Sequence, residues 1–102
     1  DQDHVGALMQ YGMSLYYQTR IRAAISCFKR VIRKNPKFVL ARLWIGICMQ
    51  YLDLTEEAIP CYQQALRDDP TFVSGYINLG VAYKQKGEYE NALICYRKAL
   101  TY

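Results

Sequence analysis

The strongest constraint on this chain is that it repeats itself. Shifted by 34 residues, the sequence falls onto itself at column after column. Pro36 meets Pro70. Gly12, Gly46 and Gly80 align, as do Ala24, Ala58 and Ala92. The aromatic column is Phe28, Tyr62 and Tyr96. Cys27, Cys61 and Cys95 fall in register, and Val31, Ala65 and Ala99 make a further apolar column. Repeats of this length are supersecondary units that bury their apolar faces only by stacking on neighbours, which sets the architecture before any single residue is weighed.

Each repeat holds two apolar stretches at helical spacing. The expected helices cover 5–18, 22–35, 39–52, 55–68, 73–86 and 89–102. Pro36 and Pro70 push the residues before them, Asn35 and Asp69, out of the α region and so end a helix each. Gly87 supplies the break inside the third hairpin, and Thr19 and Asp53 occupy that place in the other two. Thr55 is an expected N-cap, with Glu56 and Glu57 well placed in the first turn of the helix. Pro60 falls near the start of the fourth helix, where it removes one backbone bond without breaking the helix. The small residues of the Gly and Ala columns let paired helices approach, and Phe28, Tyr62, Tyr83 and Tyr96 fill the space beside them.

The period and the letters resemble the tetratricopeptide family, whose pattern is W-x2-L-G-x2-Y, A-x3-F and P over 34 residues. The third repeat carries it as Tyr76, Leu79-Gly80, Tyr83, Ala92 and Tyr96. The first reads Leu8, Tyr11-Gly12, Leu15, Ala24, Phe28 and Pro36. The second reads Arg42, Ile45-Gly46, Met49, Ala58, Tyr62 and Pro70. Arg42 departs from the aromatic that the family places there, and Trp44 comes two residues later, so the second repeat is expected to pack its first helix differently. The resemblance covers residues 5–102. It implies an all-α, right-handed α-solenoid of three antiparallel helix-turn-helix hairpins. The expected organisation is one domain over 1–102, with repeats 5–38, 39–72 and 73–102, the last without its end or a capping helix. The chain starts at Asp1 without a methionine and stops at Tyr102 within a helical pattern, as expected for a segment of a longer protein.

Apolar residues make up 52% of the chain, enough for a packed core. No apolar run approaches the ~18 residues of a membrane span, and no signal-peptide pattern opens the sequence. The net charge of +4 is uneven. Residues 5–38 carry Arg20, Arg22, Lys29, Arg30, Arg33, Lys34 and Lys37 and no acid, while the middle repeat is acidic on balance. Cys27, Cys48, Cys61 and Cys95 form no CxxC pair, and His4 is the only histidine, so the usual zinc signatures are missing. Equivalent cysteines of stacked hairpins stand roughly 10 Å apart. A disulfide needs Cα atoms within about 7 Å, so the ladder reads as core packing in a reducing, cytoplasmic setting. Catalysis has little to work with. There is no Ser–His–Asp set and no glycine-rich phosphate loop, and the adjacent pairs Glu56–Glu57 and Asp68–Asp69 do not face one reacting atom. The expectation is a non-enzymatic protein without a cofactor or metal.

By the resemblance, the first helix of each hairpin lines a concave face. The side chains expected there form an apolar stripe: Met9, Met13, Tyr17, Leu43, Trp44, Ile47, Tyr51, Ile77 and Val81, with Gln10, Asn78 and Gln85 available to bond a peptide backbone. Apolar patches mark binding sites, Tyr and Trp carry interface energy, and Met adapts its shape. Core burial of part of this stripe is the competing expectation. Some tetratricopeptide proteins clamp the C-terminal carboxylate of heat-shock chaperones with two lysines, an arginine and two asparagines. Met9, Met13, Trp44, Ser74 and Asn78 stand at those positions, none of them basic, which argues against that ligand.

Arg22, Lys29, Arg30, Arg33, Lys34 and Lys37 are expected on the outer face of the second helix and its exit. They form a solvated basic surface or a secondary site for an acidic partner or anionic surface. Nucleic-acid binding adds aromatics interleaved with the bases, and here the aromatics mostly occupy repeat columns, which ranks nucleic acid lowest. The expected function is thus binding of an apolar or amphipathic peptide or helix in the groove, with stacking onto further repeats or copies through the uncapped end as the alternative.

Overall fold

The computed structural model describes residues 3–102. Among them are six helices: α1 (Asp3–Tyr17), α2 (Ile21–Lys34), α3 (Val39–Tyr51), α4 (Thr55–Asp68), α5 (Val73–Gln85) and α6 (Tyr89–Thr101). No strand occurs among the described residues. The helices match the six periodic stretches, with ends displaced by at most two residues and not at all in the fourth. α4 runs through Pro60.

The hairpins pair α1 with α2, α3 with α4 and α5 with α6, and α2 then packs on α3 and α4 on α5. α1 touches α3 and α3 touches α5, whereas α2 and α4, and α4 and α6, stay apart. One layer of helices is therefore closed and the other splayed, which curves the stack. The first helices of the hairpins form the concave side. The result is an α-solenoid with extents of 40 × 26 × 17 Å.

Two columns of the repeat build each hairpin. A Cβ added to Gly12 would lie 2.7 Å from the Phe28 ring, one on Gly80 2.5 Å from Tyr96, and one on Gly46 closer still to Tyr62. Only a glycine lets the aromatic of the second helix lie flat on the backbone of the first. Phe28 and Tyr62 are fully buried, along with Ala24, Ala58, Val31 and Ala65.

The hairpin turns repeat in their two closing bonds. The amides of Arg20, Leu54 and Glu88 donate to the carbonyls of Leu15, Met49 and Tyr83, at 2.9, 2.8 and 2.9 Å. Those of Thr19, Asp53 and Gly87 donate to Tyr16, Gln50 and Lys84. This is the Schellman closure of a helix C-terminus, and it requires a left-handed residue. Thr19 and Asp53 adopt it at φ 62°, and Gly87 at φ 80°.

Two local expectations are corrected. Thr55 is the first residue of α4 and not its N-cap. Leu54 takes that place without a side-chain bond, and the Thr55 hydroxyl donates instead to Gln85 Oε1 across the hairpins at 3.5 Å. Arg42 does not change how α3 packs. Its Nη2 donates to the Pro36 carbonyl at 3.0 Å, where the Tyr76 hydroxyl donates to the Pro70 carbonyl at 2.7 Å one repeat later. A long guanidinium thus makes the bond that the family's aromatic position makes elsewhere, and it stands 3.6 Å from the Asp68 carboxylate as an ion pair.

Candidate binding groove

The concave side gathers four aromatic rings, Tyr16 and Tyr17 from the C-terminal end of α1, Trp44 from the middle of α3 and Tyr51 from its end. Tyr16 is the hub. Its ring lies edge-on to Tyr17 at 5.3 Å, to Trp44 at 5.4 Å and to Tyr51 at 5.8 Å. Trp44 also meets Tyr17 edge-on and stacks on Phe28 at 6.0 Å, which ties the cluster to the core of the first hairpin. Edge-to-face arrangements of this kind are favourable beyond the area they bury. Burial, then the neighbouring Cys48 and tyrosines, pushes the Tyr16 hydroxyl above its ordinary pKa, so it stays protonated.

The cluster leaves apolar surface open. Tyr17 is 71% exposed and Tyr51 53%. Met13, Trp44, Ile47 and Val81 are half-buried beside them. The polar groups along the groove bond mostly to one another. Gln50 Nε2 donates to Gln85 Oε1 at 2.8 Å, and the Tyr62 hydroxyl donates to Gln50 Oε1. The Asn78 amide donates to the Ser74 carbonyl one turn back, at 2.8 Å. Gln10 is exposed. Helical spacing turns Tyr16, Gln50, Ser74 and Lys84 toward this face as well; among all these positions Lys84 is the one base and there is no acid.

Met9 and Leu43 are corrections. Both were expected to line the open stripe, and both are buried at 6% exposure. Their equivalent in the last repeat, Ile77, is 45% exposed. The column explains the difference. Met9 belongs to the core that includes α3 residues, and Leu43 packs with Leu79 and Ala82 of α5. The first helix of the next repeat covers this position, and Ile77 has no such helix after it.

Two features were not singled out in the sequence. One is the role of Tyr16 as hub: helical spacing turns the residue toward the groove, but which rings it meets depends on geometry across two helices. The other is a cleft of about 390 Å³ on the convex side, where the splayed α2 and α4 expose the back of α3. Lys29, Arg33 and Arg42 rim it, and Ile32, Ile45, Met49 and Cys61 line it. Its equivalent between α4 and α6, about 300 Å³, is lined by Leu66, Leu79, Tyr83 and Cys95. The expected basic residues Arg22, Lys29, Arg30, Arg33, Lys34 and Lys37 are all exposed on α2 and its exit, away from the groove.

The four cysteines are free, three of them buried. Burial pushes the Cys48 thiol up to about 12, far from the thiolate form that reacts or binds metal. Among the described residues no group of His, Cys, Asp and Glu could hold a metal ion, and no helix is long and apolar enough to cross a membrane.

Comparison with solved structures places the same architecture in proteins with little shared sequence. The crystal structure of MamA superposes with a TM-score of 0.89 at 26% identity, over 99% of this chain and 59% of MamA. The chain thus spans about three fifths of that protein. The first TPR of Spaghetti (RPAP3), bound to HSP90 peptide SRMEEVD, gives a TM-score of 0.92 at 18% identity, over 99% of this chain and 80% of that one. The second TPR of the same protein, with the same peptide, gives 0.88 at 18% identity over 96% and 91%. Likeness at 18% identity speaks for the fold alone. Curated proteins give no match to the sequence. Tetratricopeptide repeat models match residues 11–49 and 73–102, and a TPR repeat model matches 55–87. With the register, the glycine–aromatic contacts and the stacked hairpins, these matches show that the chain belongs to the tetratricopeptide repeat family.

Proposed function

We propose that this chain is a non-enzymatic protein-interaction module whose concave face takes an apolar or amphipathic segment of a partner protein. The observation that carries this reading is the exposed aromatic surface of Tyr17 and Tyr51 around the Tyr16–Trp44 pair. Rings this open keep apolar surface in water until a partner covers them, and covering them is favourable. They also sit on a hydrogen-bonded, pre-organised frame, so little ordering is needed on binding. The working groove is Met13, Tyr17, Trp44, Ile47, Tyr51 and Val81, with Gln85 and Asn78 at its polar edge.

The RPAP3 domains hold an acidic heat-shock peptide on the same fold. Here the positions that would clamp such a tail are Met9, Met13, Trp44, Ser74 and Asn78. Met9 is buried and the Asn78 amide is engaged with its own helix. Lys84 alone cannot balance several carboxylates, so an apolar ligand fits the face and an acidic tail does not. The basic outer face around Arg30 and Lys34 is a secondary surface in this reading, open to an acidic partner. A catalytic role has no candidate pair of nucleophile and base to rest on.

A displayed random-peptide library tests the proposal, selected against the wild-type chain and against a Tyr17→Glu, Tyr51→Glu variant. Both residues are exposed, so the variant keeps its helices by circular dichroism. Wild type is expected to enrich peptides with apolar residues at helical or alternating spacing, and the variant to lose them. Enrichment of acidic C-terminal peptides, or of the same peptides by both proteins, overturns the reading.

A further inference from the structure

α3 packs on both α2 and α4, but those two helices stand apart, which opens the cleft of about 390 Å³ on the convex side. Every residue that lines it lies between Lys29 and Cys61, with a helix of the chain on each side. Ile45 forms the floor at 6% exposure, and Ile32, Met49 and Cys61 are half-buried around it. Lys29 and Arg33 stand one turn apart on the α2 wall, both exposed. Like charges at this spacing disfavour a helix, and an anion beside them relieves the repulsion. The ion pairs among the described residues are Arg42–Asp68, Lys86–Glu56 and Lys86–Glu88, so neither Lys29 nor Arg33 has a carboxylate partner. Across the cleft α4 carries Glu57 and Asp68, and Asp68 is held by Arg42. At the Cys61 thiol, midway along α4, burial pushes the pKa up while Arg42 and then Lys29 pull it back, so the charge that reaches this wall is positive.

The next cleft along, between α4 and α6, repeats the geometry without the chemistry. Gln63, Tyr76 and Tyr83 stand in the columns of Lys29, Arg42 and Met49. Gln63 Nε2 donates to the Tyr83 hydroxyl at 3.3 Å, and Arg67, the counterpart of Arg33, donates to Gln64 Oε1 at 2.8 Å. The cation on that rim, Lys98, sits 5.9 Å over the Tyr76 ring. Those groups satisfy one another, whereas Lys29 and Arg33 border an apolar floor with no such partners.

Shape and charge together select the occupant. The floor lies between two helices, so a flat lipid surface does not reach it and a single slender chain does. The volume is at the small end for ligand sites, room for a tail of roughly ten carbons. With Glu57 and Asp68 on the far wall, one negative charge is favoured over two. We infer that the convex cleft is a second binding site, independent of the groove, for a small amphiphile with one carboxylate. Its tail lies on Ile32, Ile45 and Met49, and its carboxylate accepts from Lys29 and Arg33.

Decanoate tests this, with decyltrimethylammonium as the same tail under a positive charge, each titrated below its micelle threshold. Binding to the 102-residue chain is read by methyl NMR and by the rate at which iodoacetamide alkylates Cys61, assigned by mass spectrometry. Decanoate is expected to shift the Ile32, Ile45 and Met49 methyls and to protect Cys61, both saturably. The ammonium amphiphile is expected to do neither at the same concentration. The Lys29→Gln, Arg33→Gln double variant changes exposed residues, so its helices remain, and half-saturation by decanoate is expected to rise roughly tenfold, as the loss of two surface ion pairs implies. Tyr17→Glu, Tyr51→Glu, which alters the concave face, is expected to bind decanoate as wild type does. Shifts centred on Ile47, Ile77 and Val81 put the amphiphile in the groove and overturn the inference. So do equal effects of the two amphiphiles, unchanged half-saturation in the Lys29→Gln, Arg33→Gln variant, or no saturable change with decanoate.

Discussion

The middle hairpin and the last hairpin are built from the same letters in the same columns, and they are not equally buried. Gly46 under Tyr62 is matched by Gly80 under Tyr96, Ala58 by Ala92, and Ile59 by Leu93. Tyr62 is sealed from solvent and its hydroxyl is bonded to Gln50, whereas Tyr96 is half-buried. The cause is the neighbour: the middle hairpin has α2 on one side and α5 on the other, whereas the last hairpin is packed by helices of the preceding repeat alone. In a stack where each unit touches only its neighbours, part of a residue's stability belongs to the next unit along. A repeat column therefore fixes which residues can be core, and position in the stack decides how far they are.

The largest expected effect separates these two tyrosines. Tyr62→Ala opens a cavity in a fully packed site and takes away the Gln50 oxygen's donor, so it should cost about 3–5 kcal/mol of folding stability. Tyr96→Ala removes a ring that water already reaches, and should cost about 1–2 kcal/mol by the same scale. Urea unfolding at low protein concentration, monitored by circular dichroism, measures both. Equal costs would break the comparison, and would mean that the last hairpin gains its missing cover even as a dilute chain.

The glycine column gives a smaller version of the same contrast. In Gly46→Ala the new methyl would press into a ring that is packed on all sides and tethered by its hydroxyl. Overpacking of that kind should cost about 1–3 kcal/mol. In Gly80→Ala the approach is similar, 2.5 Å, but Tyr96 borders solvent and can swing away, so the cost should be under about 1 kcal/mol. The same unfolding series reads both. A Gly80→Ala variant as damaged as Gly46→Ala would show that the last ring is as confined as the middle one.

Most of the fold was legible in the sequence because its determinants are local. Gly12 and Phe28, or Ala24 and the turn at Thr19, act within a single hairpin, and helical period plus proline and glycine placement fixes them. The expectations that failed depend on what a side chain meets outside its hairpin. Met9 and Leu43 look like Ile77 on a helical wheel, and only the helix of the next repeat buries the first two. Arg42 was expected to disturb its repeat because its letter differs, yet its reach lets it bond the same proline carbonyl as Tyr76 does. Thr55 has the chemistry of a cap, but the turn closes on backbone bonds one residue earlier and leaves the hydroxyl free to cross to Gln85. The groove was legible as composition, through its surplus of Tyr, Trp and Met. Its centre at Tyr16 was not, because nothing along the chain records which rings meet.

The smallest expected effect turns the comparison around, since in one respect the last hairpin is the better built. All three hairpin turns need a left-handed residue, and only the last supplies glycine, at Gly87. Thr19 and Asp53 hold φ 62° against the clash of their own Cβ, which costs roughly 1–2 kcal/mol for an ordinary residue. Glycine removes that strain but adds about 0.5–1 kcal/mol of backbone entropy to the unfolded chain. Thr19→Gly should therefore stabilise by about 0.5–1 kcal/mol. Asp53→Gly should gain less, because a short acidic side chain tolerates the left-handed region better than a β-branched one. Gly87→Thr should lose about what Thr19→Gly gains. Thr19 and Gly87 are exposed and the closing amide bonds are shared by all three turns, so packing changes little, and thermal unfolding reads the backbone strain together with the one exposed bond from the Thr19 hydroxyl to the Gln18 carbonyl. If Thr19→Gly destabilises instead, the threonine's own contacts outweigh its strain, and the three turns are not equivalent in the way their common bonds suggest.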